Sequence, residues 1–195
     1  QMVRGMSAFS LIKGNANFAA CILIMFAGLL RIGETLGLKL KHINCVKDNF
    51  AIISLWWSKG AQRTGEPEVV FIRDRVLIRV INSLKKTSSA EAALFNGSYR
   101  DFCSRLQDAS AFFGLAHPNL TPHGLRRGGA TWHFSLFHNY DRTQQHGRWK
   151  QQQTAKGYID EALAELGQAS LPAAGVARLK RAEALLASLL ISHFL

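Results

Sequence analysis

The chain has 195 residues, 48% hydrophobic and 19% charged, which is enough apolar material for one domain with a filled core and excludes a disordered chain. Lysine and arginine together number 24 against 13 acidic residues, a formal net charge of +11. A compact domain that basic points to a polyanionic partner, nucleic acid before anionic membrane. Cys21, Cys45 and Cys103 are odd in number and far apart with no C-x-x-C pair, which argues against a disulfide framework or a zinc cage and fits a reducing interior.

No secretory signal opens the chain, and Gln1 in place of Met suggests a piece of something longer. Residues 1–14 read as a leader or linker remnant. The apolar stretch 18–30 is shorter than the roughly 20 residues a membrane span needs, so 17–30 is expected to be a buried helix. Arg31 opens a second helical stretch, RIGETLGLKL, ending near Lys41. From His42 the pattern changes to three short β-branched or aromatic runs, HINCV, AIISLWW and EVVFI, separated by Asp48-Asn49 and by SKGAQRTGEP. These are expected to be antiparallel strands with Lys59 on the second turn. Helical spacing returns over 73–86, where Val76, Ile78, Val80, Ile81 and Leu84 are apolar, and again over 99–113. Thr121, between Pro118 and Pro122, is placed to cap a helix entered at His123. Further helical pieces are expected at about 139–147, 152–166 and, after Pro172, 174–194. The class is mostly α with a small three-stranded antiparallel sheet. It divides into 1–14, a main domain over 15–166, and a C-terminal amphipathic helix within 167–195.

Four places hold residues poorly chosen for a core. Arg31 follows an apolar helix directly, where burial is costly unless an anion meets it. Lys59 projects from the strand turn. His123 and Arg126 are three apart on the first turn of a helix, whose N-terminus adds positive potential and free N–H groups. Trp149 and Tyr158 lie nine apart, with Arg148 and Lys150 beside the tryptophan. Between 117 and 158, six basic residues (Arg126, Arg127, Arg142, Arg148, Lys150, Lys156) face one acid, Asp141. Two arginines, a lysine, a histidine and a tyrosine, with no carboxylate pair, fit phosphoryl transfer without metal or cofactor. Guanidiniums grip non-bridging oxygens and stabilise the charge of the five-coordinate transition state. A phenol can attack phosphorus, and a lysine can protonate the leaving oxygen.

The same residues resemble the catalytic domain of the tyrosine recombinase (phage integrase) family, whose order is Arg, Lys, His-x-x-Arg, His or Trp, Tyr. Arg31 with Glu34 matches the first box, Lys59 the strand-turn lysine, and His123 and Arg126 the second box. Trp149, 23 residues after Arg126, takes the His/Trp position, and Tyr158 matches the nucleophile. The wording RRGGATWHF and GRWK is similar to recombinases of eukaryotic and viral mobile elements. The resemblance covers roughly 15–160. It implies the DNA breaking-rejoining fold and strand cleavage through a 3′-phosphotyrosine on Tyr158. Arg31, Arg126, His123 and Trp149 would hold the phosphate, Lys59 would be the general acid, and no cofactor would be needed. It also implies double-stranded DNA as partner, a homo-oligomer (tetramer) on DNA, an N-terminal core-binding domain on the full-length chain, no membrane association, and a place inside the cell at DNA. The last helix resembles the segment that family members dock into a neighbouring protomer.

Each residue alone has an ordinary reading. Arg31 could form a surface ion pair with Glu34, Arg63 rivals Lys59 on its loop, and one of Arg126 and Arg127 should be exposed. Trp149 would ordinarily be core, and Tyr158 an unremarkable helix tyrosine. The match of six in order outweighs these readings. His133 and His138 are five apart, His146 is out of register with Trp149, and His42 with Cys45 makes half a metal site, so no zinc is expected. No P-loop and no G-x-S-x-G occurs. Competing readings are a type IB topoisomerase, a non-catalytic DNA-binding remnant of a mobile element, and a basic peripheral membrane protein.

Overall fold

The computed structural model describes residues 2–47, 49–114, 120–159 and 172–192. The chain is mostly helical with one small sheet, as its patterning predicts. Helix α1 (Met2–Ile12) is followed by α2 (Ala16–Ala27), in which Phe18 through Met25 are all buried. Such a helix, apolar on every side, belongs at the centre of a domain. It ends at Gly28, whose N–H closes on the Ile24 carbonyl at 2.8 Å. After α3 (Ile32–Leu36) and a 3₁₀ turn (Leu40–His42) come β1 (Ile43–Val46), β2 (Phe50–Leu55) and β3 (Glu68–Ile72).

The strands form an antiparallel meander in sequence order. The register pairs Ile43 with Ile53, Ile53 with Val70 and Ala51 with Ile72. With Leu55, these side chains turn to the core and meet Leu77, Ile78 and Ile81 of α5 (Arg75–Thr87). The segment between β2 and β3 is not a plain turn. Lys59–Thr64 forms a short helix, α4, capped by the Ser58 hydroxyl, which accepts from the Ala61 N–H at 3.0 Å, and closed by Gly65 at φ 77°. A serine cap and a left-handed glycine seven residues later are helix signals, and they override the strand-turn expectation.

Helices α6 (Tyr99–Phe112) and α7 (Pro122–Phe137) follow, then α8 (Tyr140–Gly147), α9 (Gln152–Tyr158) and α10 (Ala173–Ser192). Thr121 caps α7 as expected, accepting from the Gly124 N–H at 3.1 Å. The helix expected over 152–166 ends at Tyr158, where Ile159 turns extended (φ −90°, ψ 116°); residues 160–166 lie outside the described residues. Within residues 1–14, the stretch expected as a leader or linker remnant, Met2–Ile12 forms a packed helix. Met6 and Ala8 are fully buried, and at Gly5 a Cβ would stand 2.5 Å from Leu179 of α10. The start of α10 also rests on α6, where Arg178 donates to the Phe112 carbonyl at 2.8 Å. This part of the C-terminal helix therefore packs within its own chain.

Gly128 and Gly129 set the approach of α7 to α2. A Cβ on Gly129 would collide with the Phe26 carbonyl oxygen and lie 2.7 Å from Leu29, whereas one on Gly128 would make ordinary contact with the Phe26 ring at 3.6 Å. Gly129→Ala is accordingly expected to destabilise by about 3 kcal/mol. Gly128→Ala should instead stabilise by about 0.5–1 kcal/mol through helix propensity. Urea unfolding of the two variants checks the contrast.

Candidate active site

The site is built on the C-terminal end of α2. Three successive carbonyls there have no helical partner, and each accepts from a cationic or imidazole side chain of α7 or of the turn ending α8. His146 Nε2 donates to Ala27 at 2.7 Å, Arg148 Nη1 donates to Gly28 at 3.2 Å, and Arg126 Nη1 donates to Leu29. Leu29 is fully buried with φ at +51°, a conformation a side-chain-bearing residue seldom adopts, and it turns the chain so that Arg31 begins α3.

Glu34 stands among three guanidiniums. Its Oε1 is 2.6 Å from Arg31 Nη1, and its Oε2 is 2.7 Å from Arg148 Nη2 and 3.8 Å from Arg126 Nη1. The same Oε2 accepts from the Arg31 N–H at 2.7 Å, so one carboxylate caps α3 and gathers the arginines. Trp57 Nε1 donates to the Glu34 carbonyl at 3.2 Å and secures the backbone. Arg31 and Arg126 thus meet on one carboxylate. Glu68, 3.4 Å from Arg148 Nε, adds a second negative charge, and the cluster still keeps a positive excess. Arg126, 1% exposed, also donates from Nη2 to the Gly147 carbonyl at 2.8 Å. Burial first, then the charges of Arg31 and Arg148, push its pKa down to about 10, which leaves it protonated at neutral pH. Burial likewise lowers Arg148. The Nε atoms of Arg126 and Arg148 are buried without hydrogen-bond partners. An unmet buried donor costs roughly 1–3 kcal/mol until an acceptor reaches it.

A second, smaller apolar cluster carries the tyrosine. Leu29, Ala130, Trp149 and Ala155 pack together, with Tyr158 against them. The Trp149 ring lies 4.8 Å from the Tyr158 ring, and the Arg126 guanidinium sits 5.0 Å from the first and 5.7 Å from the second. His123, exposed on the first turn of α7, has its ring 5.2 Å from that of Tyr158.

Arg31, His123, Arg126 and Tyr158 line one concavity of about 240 Å³, together with Tyr99 and Thr121. That is below the roughly 300–1,000 Å³ of small-molecule pockets, and suits one group of a larger substrate. Trp149 stands behind this wall, 7% exposed, and contributes its face to Arg126 and Tyr158. Lys59, exposed at the first position of α4, does not line the concavity. Arg126 rather than Arg127 is the buried arginine of the pair. Arg148, which the sequence shows only as a basic neighbour of Trp149, has its side chain buried like those of Arg126 and Trp149, 8% exposed, and nothing in the string reveals that burial. Tyr99 was likewise missed, because it lies far from every motif.

The architecture is that of the tyrosine recombinase catalytic domain. The XerH site-specific recombinase bound to its difH substrate, in a pre-cleavage complex, is similar over 85% of this chain at 19% identity and a TM-score of 0.65. XerA recombinase is similar over 87% at 18% identity and 0.64, and the Tn1549 transposon integrase, in complex with transposon right-end DNA, over 85% at 15% and 0.59. The chain spans 50% of the XerH chain and 63% of each of the other two. No protein-family model matches the sequence, and no curated relative matches it. Among the described residues no helix is long and apolar enough to cross a membrane, and no cluster of histidine, cysteine and acidic side chains could hold a metal ion.

Two outcomes are expected. Glu34→Gln leaves three guanidiniums around a neutral amide and should cost about 3 kcal/mol in denaturant unfolding. The second concerns His133, which stacks on His146 at 4.5 Å; its Nδ1 is 2.9 Å from the Thr143 hydroxyl, which itself donates to the Asn139 carbonyl. Burial first, then the charges of His146 and Arg142, lower the His133 pKa to about 4, below the 6.5 of a free ring. The unfolded chain therefore binds the proton more readily, so the stability from a neutral His133 is complete above pH 6.5 and lost as pH falls toward 4. The thermal midpoint should drop between pH 7 and 5, with a shallower slope in His133→Gln.

Proposed function

We propose that the chain cleaves and rejoins DNA strands through a covalent 3′-phosphotyrosine on Tyr158. The observation that carries this reading is the meeting of Arg31, His123, Arg126 and Tyr158 on one cationic concavity sized for a single group. Arg31 and Arg126 hold the non-bridging oxygens of a backbone phosphate and stabilise the charge of the five-coordinate transition state. The Tyr158 phenolic oxygen attacks phosphorus and gives its proton to His123, whose ring faces it. The bond from phosphorus to the 5′ oxygen breaks, and that oxygen takes a proton from Lys59 to leave as a 5′-hydroxyl. Attack by a second 5′-hydroxyl reverses the step and joins new strands, with the bond energy held in the phosphotyrosine. Trp149 fixes the planes of Arg126 and Tyr158 from behind. Lys59 has to approach from α4 for this step, and its exposure leaves it free to do so.

The recombinase fold supports this reading over a peripheral membrane protein. The partner is double-stranded DNA, bound by a homo-oligomer (a tetramer on DNA), with a core-binding domain on the full-length chain N-terminal to this one, at DNA inside the cell. A non-catalytic DNA-binding remnant is the second reading, favoured by the place of Lys59 outside the concavity.

A pool of random-sequence duplexes, each nicked once, separates the two. After denaturation, wild-type protein should remain attached to DNA 3′ ends and Tyr158→Phe should not. Arg31→Ala should slow adduct formation by about 100- to 1,000-fold. Salt-sensitive binding by wild type and Tyr158→Phe alike, with no adduct from either, would establish the remnant and overturn the enzyme.

A further inference from the structure

Arg148 is the third guanidinium on Glu34, and unlike Arg31 and Arg126 it does not line the concavity. It sits at the left-handed residue that closes α8, φ 57°, with its side chain 8% exposed. Its three nitrogens address three separate parts of the fold. Nη1 meets the Gly28 carbonyl at the end of α2, Nη2 meets Glu34, and Nε faces Glu68 Oε2 at 3.4 Å. Glu68 is the first residue of β3, and its carboxylate lies so close to Gly60 of α4 that a Cβ there would collide with it. Lys59 is the residue before Gly60. Arg148 Nε and Glu68 Oε2 are each buried without a hydrogen bond, although they face one another.

We propose that Arg148 is a positioning residue of the phosphate cradle: without touching the substrate it holds Glu34, and so Arg31 and Arg126, and through Glu68 it sets the stance of the helix bearing Lys59. What passes through the cradle rests on the recombinase reading above. Arg31 is half-exposed and would sample many rotamers if Glu34 were free to turn. Arg148 fixes that carboxylate against a backbone carbonyl on the opposite side. A charge alone would not serve, because a lysine offers one nitrogen where three separated acceptors have to be met at once.

The test uses random-sequence duplexes ending in a 3′-(4-nitrophenyl phosphate), whose leaving group needs no proton from Lys59, and calorimetric binding of inorganic orthovanadate. Arg148→Lys keeps the charge. It should slow the burst of 4-nitrophenolate at saturating DNA by about 30- to 100-fold, as expected for a misplaced cradle, with half-saturation within about threefold. It should also weaken orthovanadate binding at least about fivefold. Glu68→Gln, at a partly exposed site that does not threaten the fold, should slow cleavage of the ordinary nicked duplexes more than that of the 4-nitrophenyl ester. Wild-type burst and orthovanadate affinity in folded Arg148→Lys would overturn the proposal and leave the recombinase reading standing. No burst from wild type, with orthovanadate binding that still depends on Arg148, would remove the phosphotyrosine reading and keep the positioning role. No burst and no dependence on Arg148 would remove both.

Discussion

One buried carboxylate governs the geometry of this domain. Glu34 is almost sealed from water, and three guanidiniums close on it from α3, α7 and the end of α8. Three like charges so close repel one another, and the depressed pKa of Arg126 records that repulsion together with burial. The arrangement survives because each arginine also finds a second kind of partner. Arg126 and Arg148 donate to backbone carbonyls, and Arg31 reaches solvent. The surplus positive charge of the three arginines is thereby held in place by the fold itself.

The rest of the fold can be read as support for that cluster. Helix α2 is apolar on all sides and lies at the centre, so its C-terminus is a rigid platform whose free carbonyls orient the cations. Gly129 lets α7 come close enough for Arg126 to reach Leu29. The sheet contributes less directly: β3 supplies Glu68, and α4 carries Lys59 beside it. Similarity to XerH, XerA and the Tn1549 integrase at 15–19% identity places this architecture among recombinase catalytic domains.

Much of this was legible in the string. The strands, the capping of α7 by Thr121 and the central apolar helix follow from period and punctuation, because each is decided locally. The pairing of His123 with Arg126 was legible for the same reason, being one turn of one helix. The short helix at Lys59 was signalled by Ser58 and Gly65, but β-rich neighbours on both sides favoured a turn. The packing of α1 was not legible, because that helix is held by distant partners such as Leu179, which no local pattern shows. Arg148 was illegible for a related reason: its importance lies in contacts with Gly28, Glu34 and Glu68, all more than 75 residues away in sequence.

The small apolar cluster beneath Tyr158 has a consequence for how the domain breathes. Leu29, Ala130, Trp149 and Ala155 form a nucleus separate from the main core, and of these only Ala155 belongs to α9. A single buried methyl group, with a half-buried phenol ring, gives α9 little apolar area to lose on detaching. Amide protons of that helix should exchange with solvent through partial openings that leave α2 and the sheet intact, so the segment bearing the Tyr158 phenol can be released and re-seated at little cost to the rest of the domain.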